Sequence, residues 1–282
     1  MYTAGPEIED ALVVCEQLAA QGTPSVISYW NSLLDSPAYV LNSCLRIIQH
    51  IPRLRSGCYL SIKAPALGFD AELLKEIVRK AERTNTCVHF DAMGPETVDR
   101  TFTLIEGIRR IYPNIGYTLP ARWRRSVEDT DRIVEMGLSV RLVKGQWSGL
   151  NGDETDPGEG FVRLTERLIE KGVRHIAIAT HNQTVARSTL ARLQQSGTPH
   201  ELELLHGMPE REMLRIARQH NVGTRFYVPY GHTGMPYRLK EVARDPRIAV
   251  WFMRDLIRAW RRSSGEHPRL NSRFPGGDSA VA

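Results

Sequence analysis

The chain has 282 residues, of which 41% are hydrophobic and 24% charged, and its formal net charge is +5. This composition is that of an ordinary soluble globular protein, and no apolar run is long enough to span a membrane. No basic face with interleaved aromatic residues is present, which excludes a nucleic-acid partner, while the mild positive charge favours an anionic cofactor or substrate.

Short apolar segments alternate along the chain with segments of helical periodicity. The predicted strands are residues 25–30, 58–63, 87–91, 115–119, 139–144, 175–179, 202–206 and 224–228. The predicted helices are residues 8–21, 37–51, 71–84, 96–111 and 127–136, a helix to residue 171 after the polar loop 148–160, then residues 184–195, 210–219 and a last helix from about residue 236.

This alternation predicts an α/β fold, a closed (β/α)8 barrel of the TIM type with an N-terminal helix. An open doubly wound sheet would show a glycine-rich phosphate turn after its first strand, and none is present. We predict one domain over residues 1–264 and a disordered tail over residues 265–282. The loop 148–160 is expected to be a mobile segment, partly ordered by ligand, or merely exposed to solvent.

The four cysteines lie far apart and show no metal-ligand spacing, so we predict buried thiols in a reducing compartment and no metal site. The N-terminus lacks the features of a signal peptide. We therefore expect a cytoplasmic protein, while attachment to the periphery of a membrane and an oligomeric state stay open.

The most informative segment is the predicted strand that contains Arg141 and Lys144 and ends before Gly145. Side chains alternate between the two faces of a strand, and two cations buried near its end would be costly without an anionic partner. We therefore expect a bound anion or acidic ligand at this strand end. A surface strand with solvated charges is the alternative.

Other chemically active side chains also stand where the predicted strands end, which is where the active site of such a barrel is built. These residues are Lys63, Asp91, Pro120, Arg122, Arg141, Lys144, Thr180, His181, Asn182, Leu205, His206, Tyr227 and Tyr230. Taken singly, three of them have a structural alternative: Asp91 as a helix N-cap, His181 as a satisfied surface imidazole, and Lys63 as a solvated lysine. Their convergence on one end of the barrel favours a functional site over these structural alternatives.

The order of these segments resembles the flavin-dependent proline dehydrogenase family. The resemblance extends from about residue 11 to residue 258. It rests on residues 141–145 (RLVKG), 179–182 (ATHN), 204–208 (LLHGM), 225–231 (RFYVPYG) and 250–256 (VWFMRDL).

The resemblance implies FAD lying across the barrel mouth, where it takes a hydride from the carbon next to a secondary amine. It implies two catalytic residues: Asp91 in a network beneath the substrate, and Arg141 beside the flavin ring, where it stabilises negative charge. The implied cofactor-binding residues are Ala92, Pro120, Arg141, Val143, Lys144, Gly145 and Gln146, with Thr180, His181 and Asn182 at the pyrophosphate and adenosine end. The implied substrate-binding residues are Lys63, Trp147, Leu205, Tyr227, Tyr237, Lys240 and Glu241.

The sequence departs from the family pattern mainly in the substrate pocket. Members carry two consecutive arginines that clamp the substrate carboxylate, and this chain has Lys240 and Glu241 there. A bidentate fork is thus replaced by a point charge and a repulsive carboxylate, which should weaken the binding of proline. Trp147 enlarges the aromatic wall. Pro120 replaces a glutamine that contacts the flavin, and a backbone carbonyl would have to serve instead.

We therefore expect an FAD-dependent dehydrogenase that oxidises a C–N bond of a proline-like or other N-substituted amino acid, amine or hydrazine in a specialised pathway. One alternative is a genuine L-proline dehydrogenase that yields pyrroline-5-carboxylate. The other is a non-catalytic relic that binds a flavin or a partner. The expected partner is a small-molecule amine, and a quinone, oxygen or a carrier protein is the expected electron acceptor.

Overall fold

A computed structural model describes residues 2–32, 34–54 and 57–231 of the chain. These residues belong to one compact unit, Met1–Gly234. Several predictions lie outside the described residues: the helix from residue 236, the domain end at 264, the tail 265–282 and the pocket residues Tyr237, Lys240 and Glu241.

Eight parallel strands pair in sequence order, and β8 closes on β1. Their bounds are Ser25–Tyr29 (β1), Tyr59–Ile62 (β2), Val88–Phe90 (β3), Ile115–Pro120 (β4), Ser139–Val143 (β5), Ile176–Ala179 (β6), His200–Leu205 (β7) and Thr224–Tyr230 (β8). Seven of the connections contain a helix, as parallel neighbours require. The predicted (β/α)8 barrel is confirmed.

The helices surround the barrel, and several of them begin at a residue whose side chain caps the first turn. Their bounds are Ile8–Ala20 (α1), Pro37–His50 (α2), Ala71–Arg83 (α3), Val98–Ile108 (α4), Ser126–Glu135 (α5), Pro157–Glu170 (α6), Gln183–Ser196 (α7) and Arg211–Gln219 (α8). The side chains of Ser36, Asp70, Asp156 and Asn182 accept backbone N–H groups at the starts of α2, α3, α6 and α7. Each cap satisfies donors that the first helical turn leaves unpaired.

Three boundaries differ from the prediction for local reasons. Helix α6 begins at Pro157, inside the predicted loop, because Asp156 caps it and proline is well suited to the first helical position. Helix α4 is shorter than predicted, since Pro95–Thr97 forms a separate 3₁₀ turn. Strand β8 continues through Pro229, whose carbonyl accepts from the Ala4 N–H although proline donates nothing itself.

Apolar side chains fill the space between the barrel and its helices, with Leu60, Val140, Ile178 and Leu204 among the buried strand residues. The barrel interior instead contains polar and charged side chains. In the strand register, Thr118 lies beside Arg141, and Glu203 lies beside Arg225. The centre of the barrel is therefore held together by charge and hydrogen bonds, and the layer outside it by apolar packing.

Within the described residues, no helix is both long and apolar enough to cross a membrane. The same residues contain no cluster of His, Cys, Asp or Glu that would hold a metal ion. All four cysteines are free thiols; Cys15, Cys44 and Cys58 are buried, while Cys87 is partly exposed.

Candidate active site

Arg141 is the centre of the charged cluster inside the barrel. It is the third residue of β5, and its side chain is 3% exposed. Nη1 donates to Asp91 Oδ1 at 2.6 Å and Nη2 donates to the Tyr59 hydroxyl at 3.2 Å, while Nε lies 2.7 Å from Glu203 Oε1. The Nε–Oε1 contact is an ion pair whose N–H is not directed at the oxygen. Burial lowers the pKa of Arg141, but Glu203, Tyr59 and Asp91 outweigh burial and hold that pKa well above its usual value.

Asp91 follows β3 and gathers four side chains at the C-terminal end of the barrel. Its Oδ1 accepts from Ser61 at 2.8 Å as well as from Arg141, and its Oδ2 accepts from the Tyr227 hydroxyl at 2.8 Å. Lys63 Nζ lies 3.9 Å from Oδ2. Asp91 thus contacts side chains from β2, β5 and β8 or their ends, and the following helical segments begin at the N-caps Gly94 and Thr97, so the alternative of a helix N-cap is wrong.

Lys63 follows β2, and its ammonium group donates hydrogen bonds to residues of the chain itself. Its Nζ donates to the Tyr29 carbonyl at 2.9 Å and to the Ser28 hydroxyl at 3.2 Å. Burial lowers the pKa of Lys63, and Asp91 opposes that shift. The side chain is 13% exposed, so the alternative of a solvated lysine is wrong.

Tyr227 forms the other wall of the cluster. The Arg141 guanidinium carbon lies 4.9 Å from the centre of the Tyr227 ring, and Trp30 Nε1 donates to the Tyr227 hydroxyl at 3.3 Å. Burial and the neighbouring Asp91 raise the pKa of Tyr227 well above its usual value. The phenol therefore remains protonated and donates to Asp91.

The expectation that two cations are buried in β5 is wrong for Lys144. Strand β5 ends at Val143, and Lys144 is exposed at the rim of the mouth. The expected anionic ligand is also not needed to balance Arg141, because Asp91 and Glu203 already pair with it. The buried cation Arg141 is thus balanced by carboxylates from other parts of the barrel and needs no bound anion.

The turn after β5 depends on Gly145, which has a φ of +90°. A Cβ at this position would lie 2.9 Å from Pro120 Cβ and 3.1 Å from Arg122 Cγ, so both the backbone and the space require glycine. The Pro120 carbonyl, expected to face the flavin, accepts from the Ser126 hydroxyl at 2.6 Å.

An ion pair and hydrogen bonds connect the loop 148–160 to the segment that follows β4. Glu154 pairs with Arg122 at 2.9 Å and accepts from the Gly149 N–H at 2.7 Å, and the Thr155 N–H donates to the Arg122 carbonyl at 2.8 Å. Trp147, the expected aromatic wall, is 42% exposed, and its carbonyl accepts from the Trp123 indole at 2.8 Å. A role for the loop as a lid stays a prediction.

The segment after β6 forms the start of α7 at the rim of the mouth. Asn182 Oδ1 accepts from the N–H groups of Thr184 and Val185. His181 accepts from the Leu205 N–H through Nε2 at 3.0 Å and donates from Nδ1 to the Pro209 carbonyl at 3.2 Å. Both ring nitrogens of His181 thus have partners within the chain, and burial lowers its pKa. This arrangement fits the alternative of a satisfied imidazole, and contact of His181 with a cofactor stays a prediction.

The remaining predicted positions line the same end of the barrel. Ala92 directly follows Asp91 and is packed partly against the core, and Leu205 is the last residue of β7. Val143 ends β5, and Gln146 is exposed beyond it, its carbonyl accepting from Arg122. The structure therefore brings Lys63, Asp91, Arg141 and Tyr227 into contact, and places the other described candidates around the rim.

The sequence analysis missed Tyr59 and Glu203. Glu203 is 2% exposed, and its Oε2 accepts from the Tyr59 hydroxyl at 3.1 Å. Burial raises the pKa of Glu203, although Arg141 opposes that shift. The available signal was a carboxylate between Leu202 and Leu204 in an apolar strand, which demands a buried cation elsewhere in the barrel.

A cavity of about 150 Å³ lies at the opposite, N-terminal end of the barrel. Its lining includes Tyr59, Cys87, Asn114, His175, Glu201 and Arg225. Within it, Arg225 Nε pairs with Glu201 Oε1 at 2.7 Å and Arg225 also donates to the Gly57 carbonyl. Since active sites of this fold stand at the C-terminal end of the strands, this cavity is separate from the candidate site.

Comparison with known proteins finds relatives that match most of the chain. No family model matches the chain. Proline dehydrogenase 1 of Bacillus subtilis is 23% identical over 273 residues, covering 91% of this chain and 90% of the relative. Proline dehydrogenase 2 of the same organism is 21% identical over 258 residues, covering 86% and 84%. The proline dehydrogenase of Deinococcus radiodurans is 21% identical, covering 91% and 89%.

The predicted resemblance to the proline dehydrogenase family is confirmed by these relatives, which match most of the chain. The predicted enzyme class, a flavin-dependent oxidoreductase acting on CH–NH donors, is likewise confirmed by these relatives.

Solved structures agree on the fold. Proline utilization A (PutA) of Bdellovibrio bacteriovorus superposes with a TM-score of 0.71 at 16% identity, and PutA of Corynebacterium freiburgense with 0.65 at 18%. They match 81% and 86% of this chain, which spans 30% and 29% of those longer chains. This likeness concerns the barrel alone.

Proposed function

We propose that this protein is an FAD-dependent dehydrogenase that oxidises the C–N bond of a proline-like secondary amine to an imine. The observation that carries the proposal is the contact between Asp91, Arg141, Tyr227 and Lys63 at the C-terminal end of the strands. Catalytic groups of this fold stand at that end. The similarity to proline dehydrogenases over most of the chain supports the same reaction.

The residues around the mouth fit a flavin dinucleotide by their chemistry. Arg141 supplies a fixed positive charge at the barrel centre, and the exposed Lys144 has no ion-pair partner among residues 2–231 as described. The N-terminus of α7 adds positive potential of the kind that favours phosphate groups. We propose that Lys144, Gly145 and residues 180–182 hold the cofactor, which when bound supplies the hydride acceptor.

The chain's own side chains position the substrate and keep protons in place. Oxidation removes a hydride from the carbon and a proton from the nitrogen, and it requires a neutral amine held near contact distance. Lys63 supplies a positive charge at the cluster for a substrate carboxylate. Tyr227 keeps its proton and donates a hydrogen bond to Asp91, so the wall beside the substrate has a fixed hydrogen-bond pattern.

Two substrate assignments follow from different observations. The names of the relatives favour L-proline, whereas Lys240 and Glu241 favour a wider range of N-substituted amino acids, amines or hydrazines, because the sequence lacks the paired arginines there. We propose the wider range and keep L-proline dehydrogenase as the alternative. Similarity to enzymes over most of the chain disfavours the non-catalytic relic.

The test is anaerobic bleaching of the purified, FAD-reconstituted protein by a panel of amines. The panel contains L-proline, N-methylglycine, a simple hydrazine and N-propargylglycine, which inactivates the PutA of Bdellovibrio bacteriovorus. Faster bleaching by another amine than by L-proline supports the wider range. Fastest bleaching by L-proline supports the alternative, and failure to bind any flavin refutes the proposal altogether.

A pair of variants separates chemistry from folding in this assay. Asp91→Asn removes the carboxylate at the junction of Arg141, Ser61 and Tyr227 and should lower the bleaching rate at least tenfold, about 1.4 kcal/mol. Asp99→Asn removes a carboxylate that is 69% exposed on the outer surface and should leave the rate unchanged. Equal rates in the two variants would remove Asp91 from the mechanism.

We propose a quinone, oxygen or a carrier protein as acceptor and the cytoplasm as the location, with the membrane periphery as the alternative. Reoxidation rates of the bleached protein with a soluble quinone and with oxygen rank the first two acceptors.

A further inference from the structure

Glu203 is a charged residue in an apolar strand, and the reaction proposed above makes no use of it. It lies on β7 between Leu202 and Leu204, and its side chain is 2% exposed. A buried carboxylate is costly even when paired, and replacement of buried ion pairs by apolar residues is often stabilising. Stability alone is therefore a weak reason for a carboxylate at this position.

The contacts of Glu203 converge on Arg141. Oε1 lies 2.7 Å from Arg141 Nε, and Oε2 accepts from the Tyr59 hydroxyl, which in turn accepts from Arg141 Nη2 at 3.2 Å. Asp91 takes Nη1. Nη1 and Nη2 thus donate hydrogen bonds to Asp91 and Tyr59, which fix the plane of the guanidinium group, while Glu203 pairs with Nε and holds the Tyr59 hydroxyl.

The charges around Arg141 also matter. Arg141 is a single cation between two carboxylates, and Lys63 is the next cation on the mouth side, 3.9 Å from Asp91. Arg141 and Asp91 alone would form a neutral pair. Glu203 adds a second negative charge, so the centre of the barrel is less positive than the pair alone, or a lone arginine, would make it.

We infer that Glu203 is a positioning residue that fixes the orientation of Arg141 and reduces its positive charge, and thereby limits how strongly the barrel centre stabilises an anionic flavin. The inference rests on the proposed function, since it concerns a flavin held at the mouth. It assigns to Glu203 a role in tuning the cofactor that acts through Arg141.

The same strand supplies a matched control. Glu201 lies two residues before Glu203 on the same face of β7, and it too pairs with an arginine Nε at 2.7 Å. Its partner, Arg225, lies at the N-terminal end of the barrel and donates to the carbonyls of Ser25 and Gly57. Glu201→Gln therefore removes a carboxylate from the same strand, 12% exposed against 2% for Glu203, whose ion-pair partner is Arg225 and not Arg141.

The experiment measures the affinity of the FAD-reconstituted protein for sulfite, an anionic nucleophile that adds reversibly to oxidised flavins and bleaches them. The adduct carries additional negative charge, so a more positive environment tightens it. Glu203→Gln and Glu203→Met should bind sulfite at least about tenfold more tightly than the native protein. Glu203→Asp keeps the charge and should remain within about threefold, and Glu201→Gln within about twofold.

The flavin midpoint potential gives a second readout, and it should rise in the two neutral Glu203 variants and stay near the native value in Glu201→Gln. Equal sulfite affinities in Glu203→Gln and Glu201→Gln overturn the inference and leave the proposed function standing. Failure of both neutral Glu203 variants to fold, while Glu201→Gln folds, assigns Glu203 to stability alone and also overturns the inference. A native protein that holds no flavin overturns both proposals.

Discussion

Replacing Arg141 by methionine tests whether the barrel centre is organised around one cation. The side-chain exposures of its partners Asp91 and Glu203 are only 13% and 2%. Removing one partner of a buried ion pair typically costs about 3–5 kcal/mol, because the other charge remains buried and unpaired. Asp91 keeps its bonds from Ser61 and Tyr227, so most of the loss falls on Glu203. We expect a loss of about 3–5 kcal/mol in the free energy of unfolding.

The loss should depend on pH. Burial already raises the pKa of Glu203 above its usual value, and removal of the opposing guanidinium raises it further. A carboxyl whose pKa is raised in the folded state binds more protons there, so its contribution to stability is present at low pH and is lost as the pH rises through the folded-state pKa. The Arg141→Met variant should therefore recover part of its loss when the pH is lowered from about 7.5 to about 5.5.

The assay is urea unfolding followed by tryptophan fluorescence, with Arg46→Met as the control. The Arg46–Glu9 ion pair has the same N–O distance as the Arg141–Glu203 pair, 2.7 Å, but its two side chains are 54% and 65% exposed. An exposed pair contributes roughly 0–1 kcal/mol. A loss in Arg141→Met no larger than in Arg46→Met, or one that does not shrink on acidification, would refute the reasoning.

Three further predictions concern single contacts. Tyr227→Phe removes the hydroxyl that donates to Asp91 and accepts from Trp30, and it should lower the free energy of unfolding by about 1–2 kcal/mol in urea titrations; no change would show that the bond contributes nothing. Gly116→Ala places a Cβ 2.2 Å from His89 Nδ1 and should lower the free energy of unfolding by about 1–3 kcal/mol. Gly107→Ala on α4 meets nothing within 4 Å and should raise the free energy of unfolding by about 0.5–1 kcal/mol in the same measurement. Lys144→Met should raise the FAD dissociation constant about fivefold, roughly 1 kcal/mol, in fluorescence titrations at low salt, and Lys75→Met on α3 should leave it unchanged.

The sequence by itself determined the fold, because the patterns that specify it are local. A helix repeats every 3.6 residues and a strand every two, so apolar periodicity locates both without knowledge of their neighbours. Strand β5, predicted at residues 139–144, is observed at Ser139–Val143, and β7, predicted at 202–206, at His200–Leu205. Parallel strands with helical connections then leave few topologies to choose from. Asp91 and Arg141 were found for the same reason, since strand ends could be counted along the chain.

Tertiary closure decided which charges meet. Tyr59 lies 82 residues from Arg141 and 144 residues from Glu203, yet the three form one hydrogen-bonded and ion-paired group once β8 closes on β1. No local pattern records such a distance, so the sequence indicated the buried Arg141 without showing that Asp91 and Glu203 pair with it. The sequence likewise did not show that Lys144 is exposed. Lys144 lies one residue beyond the end of β5, before the turn at Gly145, and it stands at the rim of the mouth. Arg141, three residues earlier, is enclosed by the barrel.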